Sequence, residues 1–142
     1  MQDEAGGRAA ARQWLWLDWE VGAVFRGRDG DPSTTQWHIL NILLESGPLT
    51  LMAAAERLGV TGATTARAVA AAARRGWLLK DRDPQDRRVV WLHITPSGEA
   101  AVAATMGRVA ARLGAVADRV PGVSAWFGLA GASRDRVTAG PE

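Results

Sequence analysis

Apolar residues recur along this chain with three different periods, and each period predicts a different element. From about Glu4 to Arg26 the spacing is helical, with Trp14, Leu17, Val21 and Val24 on one stripe. Trp16 and Trp19 lie off that stripe, and a helix apolar over more than one face contacts more than its own domain. Gly27-Arg28-Asp29-Gly30-Asp31-Pro32 breaks the pattern as a loop. Thr34 or Thr35 then caps a second helix carrying Trp37, Leu40 and Leu44, flanked by Ile39 and Leu43, and ending at Gly47-Pro48. Thr50 caps a short third helix over 51–58 that stops at Gly59. Thr61 caps a fourth running to Gly76, whose alanines have the highest helix propensity of any residue.

After Trp77 the period falls to two. Leu79, Val90, Leu92 and Ile94 bracket the polar turn Asp83-Pro84-Gln85-Asp86-Arg87-Arg88, which predicts a β-hairpin with a charged tip. Thr95 caps a further helix with Pro96 at its first position, where a missing N–H costs nothing. In that helix Val102, Met106, Val109, Leu113, Val116 and Val120 follow at spacings of 4, 3, 4, 3 and 4. A 3.5-residue repeat is a narrow seam for another helix, so a lone chain leaves it in water and a homodimer is expected. A last, glycine-interrupted helix is expected from Val123 to about Val137.

Composition narrows the chemistry. There are no cysteines, which excludes disulfides, thiolate catalysis and cysteine-ligated metals. The N-terminus lacks the features of a secretory signal, and no unbroken apolar run approaches the length of a membrane span, so a soluble, cytoplasmic chain without membrane contact is expected. The sequence pI of about 10.3 overstates the basicity. With no Tyr, no Cys and Lys80 as the sole lysine, little titrates before arginine does. The distribution of charge says more. Residues 57–93 hold eight basic and three acidic side chains, whereas residues 1–56 hold four and eight. The middle of the chain thus faces an anionic partner.

Helix, helix, short helix, tight turn, helix, hairpin is the order of a helix-turn-helix followed by a wing. Rotating the fourth helix at about 100° per residue places Thr65, Ala68, Val69, Ala72 and Gly76 inward. Ala63, Arg67, Ala70 and Arg74 form the opposite stripe, with Thr64, Ala66 and Ala71 beside it. Alone, such a face reads as solvated surface. Next to a turn, a wing and a local positive charge, it suits a helix laid in a major groove, where arginine takes guanine O6 and N7 together. Thr61, Thr64 and the backbone N–H groups at its amino end hold a phosphate or a base edge. At the hairpin tip, Arg82, Arg87 and Arg88 suit the minor groove, and Asp86 holds one of them by a charge-assisted hydrogen bond.

Thr35-Gln36-Trp37, Leu58-Gly59-Val60, Arg74-Arg75-Gly76-Trp77-Leu78, the wing Asp83-Pro84-Gln85-Asp86-Arg87-Arg88 and Ile94-Thr95-Pro96-Ser97-Gly98 together resemble the multiple-antibiotic-resistance regulator (MarR) family over about residues 35–99. The resemblance implies a dimer built by the first and last helices, binding to pseudo-palindromic duplex DNA, and release by a small, often aromatic ligand. It also implies an effector cavity beside the first two helices, to which Trp14, Trp37 and His38 are the candidate contributors. Many members carry an acid where this chain has Ala70, so the usual salt bridge from wing to recognition helix lacks its partner here. His38 stands where urate-responsive members place an acid, and the peroxide-sensing subgroup requires a cysteine.

The expected fold is therefore mainly α with a small β-hairpin wing. Residues 1–33 and 96–142 serve dimerisation and residues 34–95 form the winged helix-turn-helix. Two histidines without a carboxylate cluster predict no metal, and no cofactor is expected. No nucleophile elbow, phosphate loop or paired carboxylates point to an enzyme. The competing reading is a winged helix that serves protein interaction and no longer binds DNA.

Overall fold

The computed structural model describes residues 2–26 and 29–117. The expected Val123–Val137 helix and the seam residue Val120 lie outside the described residues. In chain order the elements are α1 (Gln2–Arg26), α2 (Thr34–Ser46), β1 (Leu49–Thr50), α3 (Leu51–Leu58), α4 (Gly62–Arg74), β2 (Leu78–Arg82), β3 (Val90–Ile94) and α5 (Pro96–Ala117). They divide into two units. Phe25–Gly107 forms one, and the described residues before and after it form the other. The divisions fall inside α1 and α5 rather than at the expected 33/34 and 95/96.

In the larger unit, Ile39, Leu40 and Leu43 of α2 meet Ala54 of α3, Val69 and Ala72 of α4, Trp77, Leu78, Leu92 and Val102 in one core. Burying a side chain the size of leucine contributes roughly 1.5–3 kcal/mol. Ser33, not Thr34 or Thr35, caps α2. Its hydroxyl accepts from the Gln36 N–H at 3.2 Å while the Gln36 side chain accepts from the Ser33 N–H at 2.8 Å. That reciprocal pair satisfies two orphan donors, which either threonine alone could not do. Leu44, expected inside, is exposed, and Ile39 and Leu43 take the inward positions.

The sheet has three antiparallel strands in the order β1-β3-β2. The short β1, paired through Leu49 with Leu92 and Thr50 with Trp91, has no counterpart in the periodicity, because two residues cannot show an alternation. The register pairs Leu78 with Ile94 and Leu79 with His93. Leu78 is therefore the buried residue and Leu79, expected inside, is 62% exposed. A shift of one residue exchanges the faces of a strand, and here the tertiary core sets the phase.

The start of α5 is tied to the end of α4. The Thr95 hydroxyl donates to the Gly76 carbonyl at 2.6 Å and accepts from the Gly98 N–H at 3.1 Å, while the Thr95 N–H donates to the Trp77 carbonyl at 3.0 Å. By length and composition alone α5 is apolar enough to cross a membrane, although its apolar run is not unbroken. Alanines supply that character around Glu99, Arg108 and Arg112. In the smaller unit, Leu17 of α1 is buried against Val116, with Leu113 and Ala117 beside them. Arg112 forms an ion pair with Glu20 across these two helices.

Candidate nucleic-acid interface

The Thr50 hydroxyl accepts from the Ala53 N–H at 3.1 Å and starts α3. Gly59 ends it at φ 65°, ψ 28°, a left-handed conformation that glycine adopts without a Cβ penalty. The Val60 N–H reaches back to the Ala55 carbonyl at 3.2 Å, and the chain turns directly into α4. There the Thr61 hydroxyl accepts from the Thr64 N–H at 3.2 Å and donates to the Thr64 hydroxyl at 3.0 Å. Thr61 is thus engaged as the helix cap.

The rotation of α4 is as the periodicity predicts as far as its end at Arg74, whereas Gly76, expected inward, lies beyond the helix and is exposed. Thr65, Val69 and Ala72 are buried, and the Thr65 hydroxyl is satisfied by the Thr61 carbonyl at 3.1 Å. Ala63, Ala66, Arg67 and Arg74 are exposed, while Thr64, Ala70 and Ala71 are half-buried. The result is a ridge of small residues with guanidiniums standing from it. Met52 on α3 adds an exposed thioether whose sulfur lies 3.7 Å from where a Gly62 Cβ would sit, at the amino end of this ridge. Its isolation among alanines left no periodic signal.

Basic residues of this region divide by what holds them. Arg57 donates to the Ser46 hydroxyl at 2.5 Å, and Arg75 lies 5.6 Å from the centre of the Trp77 ring. Arg82 donates to the Arg87 carbonyl at 2.9 Å. Arg88 reaches both oxygens of Asp86, at 3.0 and 3.2 Å. Among the described residues, the guanidiniums of Arg67, Arg74 and Arg87 form no ion pair or hydrogen bond within the chain. The three wing arginines are therefore not equivalent. Two are tied into the loop and Arg87 projects from it.

Asp83, which the sequence marked only as part of a polar turn, organises that loop. One carboxylate oxygen accepts from the Gln85 N–H at 2.8 Å and the Asp86 N–H at 3.2 Å, and the other accepts from the Trp91 indole at 3.2 Å. These donors hold its carboxyl below the ordinary carboxylate range, Gln85 contributing most, then Trp91, then Asp86. Asp86 is held low as well, chiefly by the Arg88 side chain and then by the Arg88 N–H.

The remaining candidates fall in both units. Trp37 and His38 meet edge to face at 5.1 Å, and Phe25 meets Trp37 at 6.2 Å. The Trp37 indole N–H is directed at the Val102 carbonyl at 3.4 Å. Trp14 belongs to the smaller unit, where it is 60% exposed together with Leu15, Trp16 and Trp19. The α5 seam is not a uniform surface. Val102 (4% exposed) is spent in the chain's own core and Val116 (4%) on Leu17, which removes both from an intermolecular seam. Met106 is 45% exposed, and Val109 and Leu113 are half-buried. Among the described residues no group of His, Asp or Glu gathers that could hold a metal ion.

A short helix, a tight turn, a second helix with a small basic outer face and an adjoining hairpin define the winged helix-turn-helix fold of transcription regulators. Residues 33–90 match the model of the MarR family. The fold extends well beyond that segment. The PcaV transcriptional regulator of Streptomyces coelicolor is 26% identical with a TM-score of 0.68, covering 88% of this chain and 91% of that one. YusO of Bacillus subtilis is 16% identical with a TM-score of 0.69, covering 92% of both chains. FabT of Streptococcus pneumoniae, whose structure is of a complex with DNA, is 21% identical with a TM-score of 0.61, covering 93% of this chain and 92% of that one. No protein of curated function matches the chain by sequence.

Proposed function

We propose that this protein is a sequence-specific DNA-binding transcriptional repressor that acts as a homodimer on pseudo-palindromic sites. The observation that carries the reading is the outer face of α4. Exposed Arg67 and Arg74 stand free on a ridge of alanines, beside a wing that projects a free Arg87. Small residues allow the helix axis to lie deep in a major groove, and an unpaired guanidinium gives up no internal partner on binding a base edge. Thr64 and the N–H groups at the start of α4 serve the adjacent phosphate, with Thr61 shaping that end.

Dimerisation rests on the exposed Trp14, Leu15, Trp16 and Trp19 of α1, which spread over more than one face of the helix, with Met106, Val109 and Leu113 on α5 as a further apolar surface for the partner. On this division residues 1–33 and 96–142 serve the dimer and residues 34–95 the DNA, while the first turns of α5 also pack Val102 into the core of the larger unit. A small aromatic ligand seated against Trp37 and His38 would release DNA only through its difference in affinity for the bound and free conformations. PcaV, whose structure has also been determined with its natural ligand, supports only that part of the reading in which a ligand binds.

The test is footprinting of the purified protein on DNA flanking its own gene, at two salt concentrations. A protected two-fold site with half-sites about one helical turn apart is expected, weakening steeply with salt. Uniform, salt-insensitive binding would instead favour a protein-interaction module.

A further inference from the structure

Trp91 lies on the outer face of the wing, diagonally across the ladder from Asp83. The register pairs Asp81 with Trp91 and Arg82 with Val90, which puts Asp83 next along the same face. From there the indole N–H reaches past the directly opposed Asp81 to the free oxygen of Asp83, at 3.2 Å. Diagonal neighbours on one sheet face lie about 7–8 Å apart at the backbone, within reach of an aromatic side chain. The other Asp83 oxygen already holds the Gln85 and Asp86 N–H groups, so Trp91 fixes the rotamer of the carboxylate that shapes the turn. The Asp83 N–H closes on the Val89 carbonyl at 3.0 Å and the Val89 N–H on the Asp86 carbonyl at 2.9 Å. Arg87 stands at the apex of this closed loop.

We infer that Trp91 is a positioning residue of the DNA site, bracing the wing through Asp83 so that Arg87 is projected in one conformation. The inference rests on the DNA-binding reading given above. The hydrogen bonds that hold the Asp83 carboxylate come from the loop itself and from β3. Pre-ordering matters because a long side chain on a loose loop loses conformational freedom when it binds.

The experiment is a double-mutant cycle on the full-length protein, measuring affinity for the footprinted site with wild type, Trp91→Phe, Arg87→Ala and the double variant. Phenylalanine keeps an aromatic ring at the position and removes the N–H together with part of the indole's area. Trp91→Phe is expected to weaken binding about three- to tenfold, less than the full worth of a hydrogen bond to a charged group because only the ordering of Arg87 is transmitted to the DNA. In the Arg87→Ala background the same change is expected to have no effect, since nothing is left to aim. Equal losses in both backgrounds would overturn the inference, because they would mean that Trp91 touches DNA directly or merely supports the fold. So would an unchanged affinity for Trp91→Phe alone. Should wild type bind no duplex, the DNA reading itself falls. The brace is then read from the indole N–H resonance of Trp91, whose indifference to Asp83→Asn would overturn it too.

Discussion

Gly98 packs directly beneath the carbonyl of Trp77, so closely that a Cβ at position 98 would overlap that oxygen. The same carbonyl accepts the Thr95 N–H, which closes the first turn of α5 over the end of α4. Here the Thr-Pro-Ser-Gly run has a steric reason. Threonine supplies the cap, proline opens the helix, and only glycine admits the neighbouring backbone. Gly98→Ala should therefore cost about 1–3 kcal/mol despite its better helix propensity, since the clash is with backbone and not with a flexible side chain. Urea unfolding checks this, and an unchanged midpoint would show that the contact is not tight.

Removing Arg67 and removing Arg87 should leave different signatures. Arg67→Ala is expected to cost about 1–3 kcal/mol on the cognate site and to relax one base position. Arg87→Ala should weaken all duplexes and reduce the salt slope, unless the minor groove is unusually narrow at the contact. Arg88→Ala should do less than Arg87→Ala, because Arg88 is already engaged by Asp86. Affinities on cognate and random duplexes at several salt concentrations separate the three. Equal losses on both duplexes for Arg67→Ala would reverse the assignment of roles.

The wing should also respond to acid in a defined direction. Asp83 and Asp86 are held below the ordinary value of 3.8 in the folded chain. A depressed folded pKa contributes stability that is complete above the unfolded value and is lost as pH falls through the folded one. Wing order should accordingly be constant from neutral pH down to about 4 and fail only below it. The Trp91 indole resonance reports this, and loss of the signal's native position already at pH 5–6 would mean that another group controls the loop.

Local chemistry was legible in the sequence where one residue decides the outcome. Thr50, Gly59 and Thr61 mark their helix ends directly, and the inward face of α4 follows from rotation alone. What the sequence did not disclose depends on partners distant in the chain. The phase of β2, with Leu78 inside and Leu79 out, is set by the α2 and α4 core. The Asp83–Trp91 bond needs a ladder register that no single strand contains. The α5 spacing identifies an apolar stripe correctly, but periodicity cannot say whether the helix that covers it comes from the same chain. Val102 and Val116 turn out to be covered by their own.

That last ambiguity leads to a test of the dimer. Leu15 is 72% exposed, so within a single chain Leu15→Glu should be nearly neutral, as surface substitutions usually are. If a second copy covers the α1 face, the same change buries an unpaired carboxylate at the interface and should dissociate the dimer. Light scattering at micromolar concentration is expected to show a dimer for wild type and a monomer for the variant. Binding to a full two-fold site should then fall far more than binding to an isolated half-site, because linkage of the two recognition helices is lost while each stays intact. A wild-type chain that is monomeric under these conditions, or a Leu15→Glu variant that remains dimeric, would remove the α1 face from the interface.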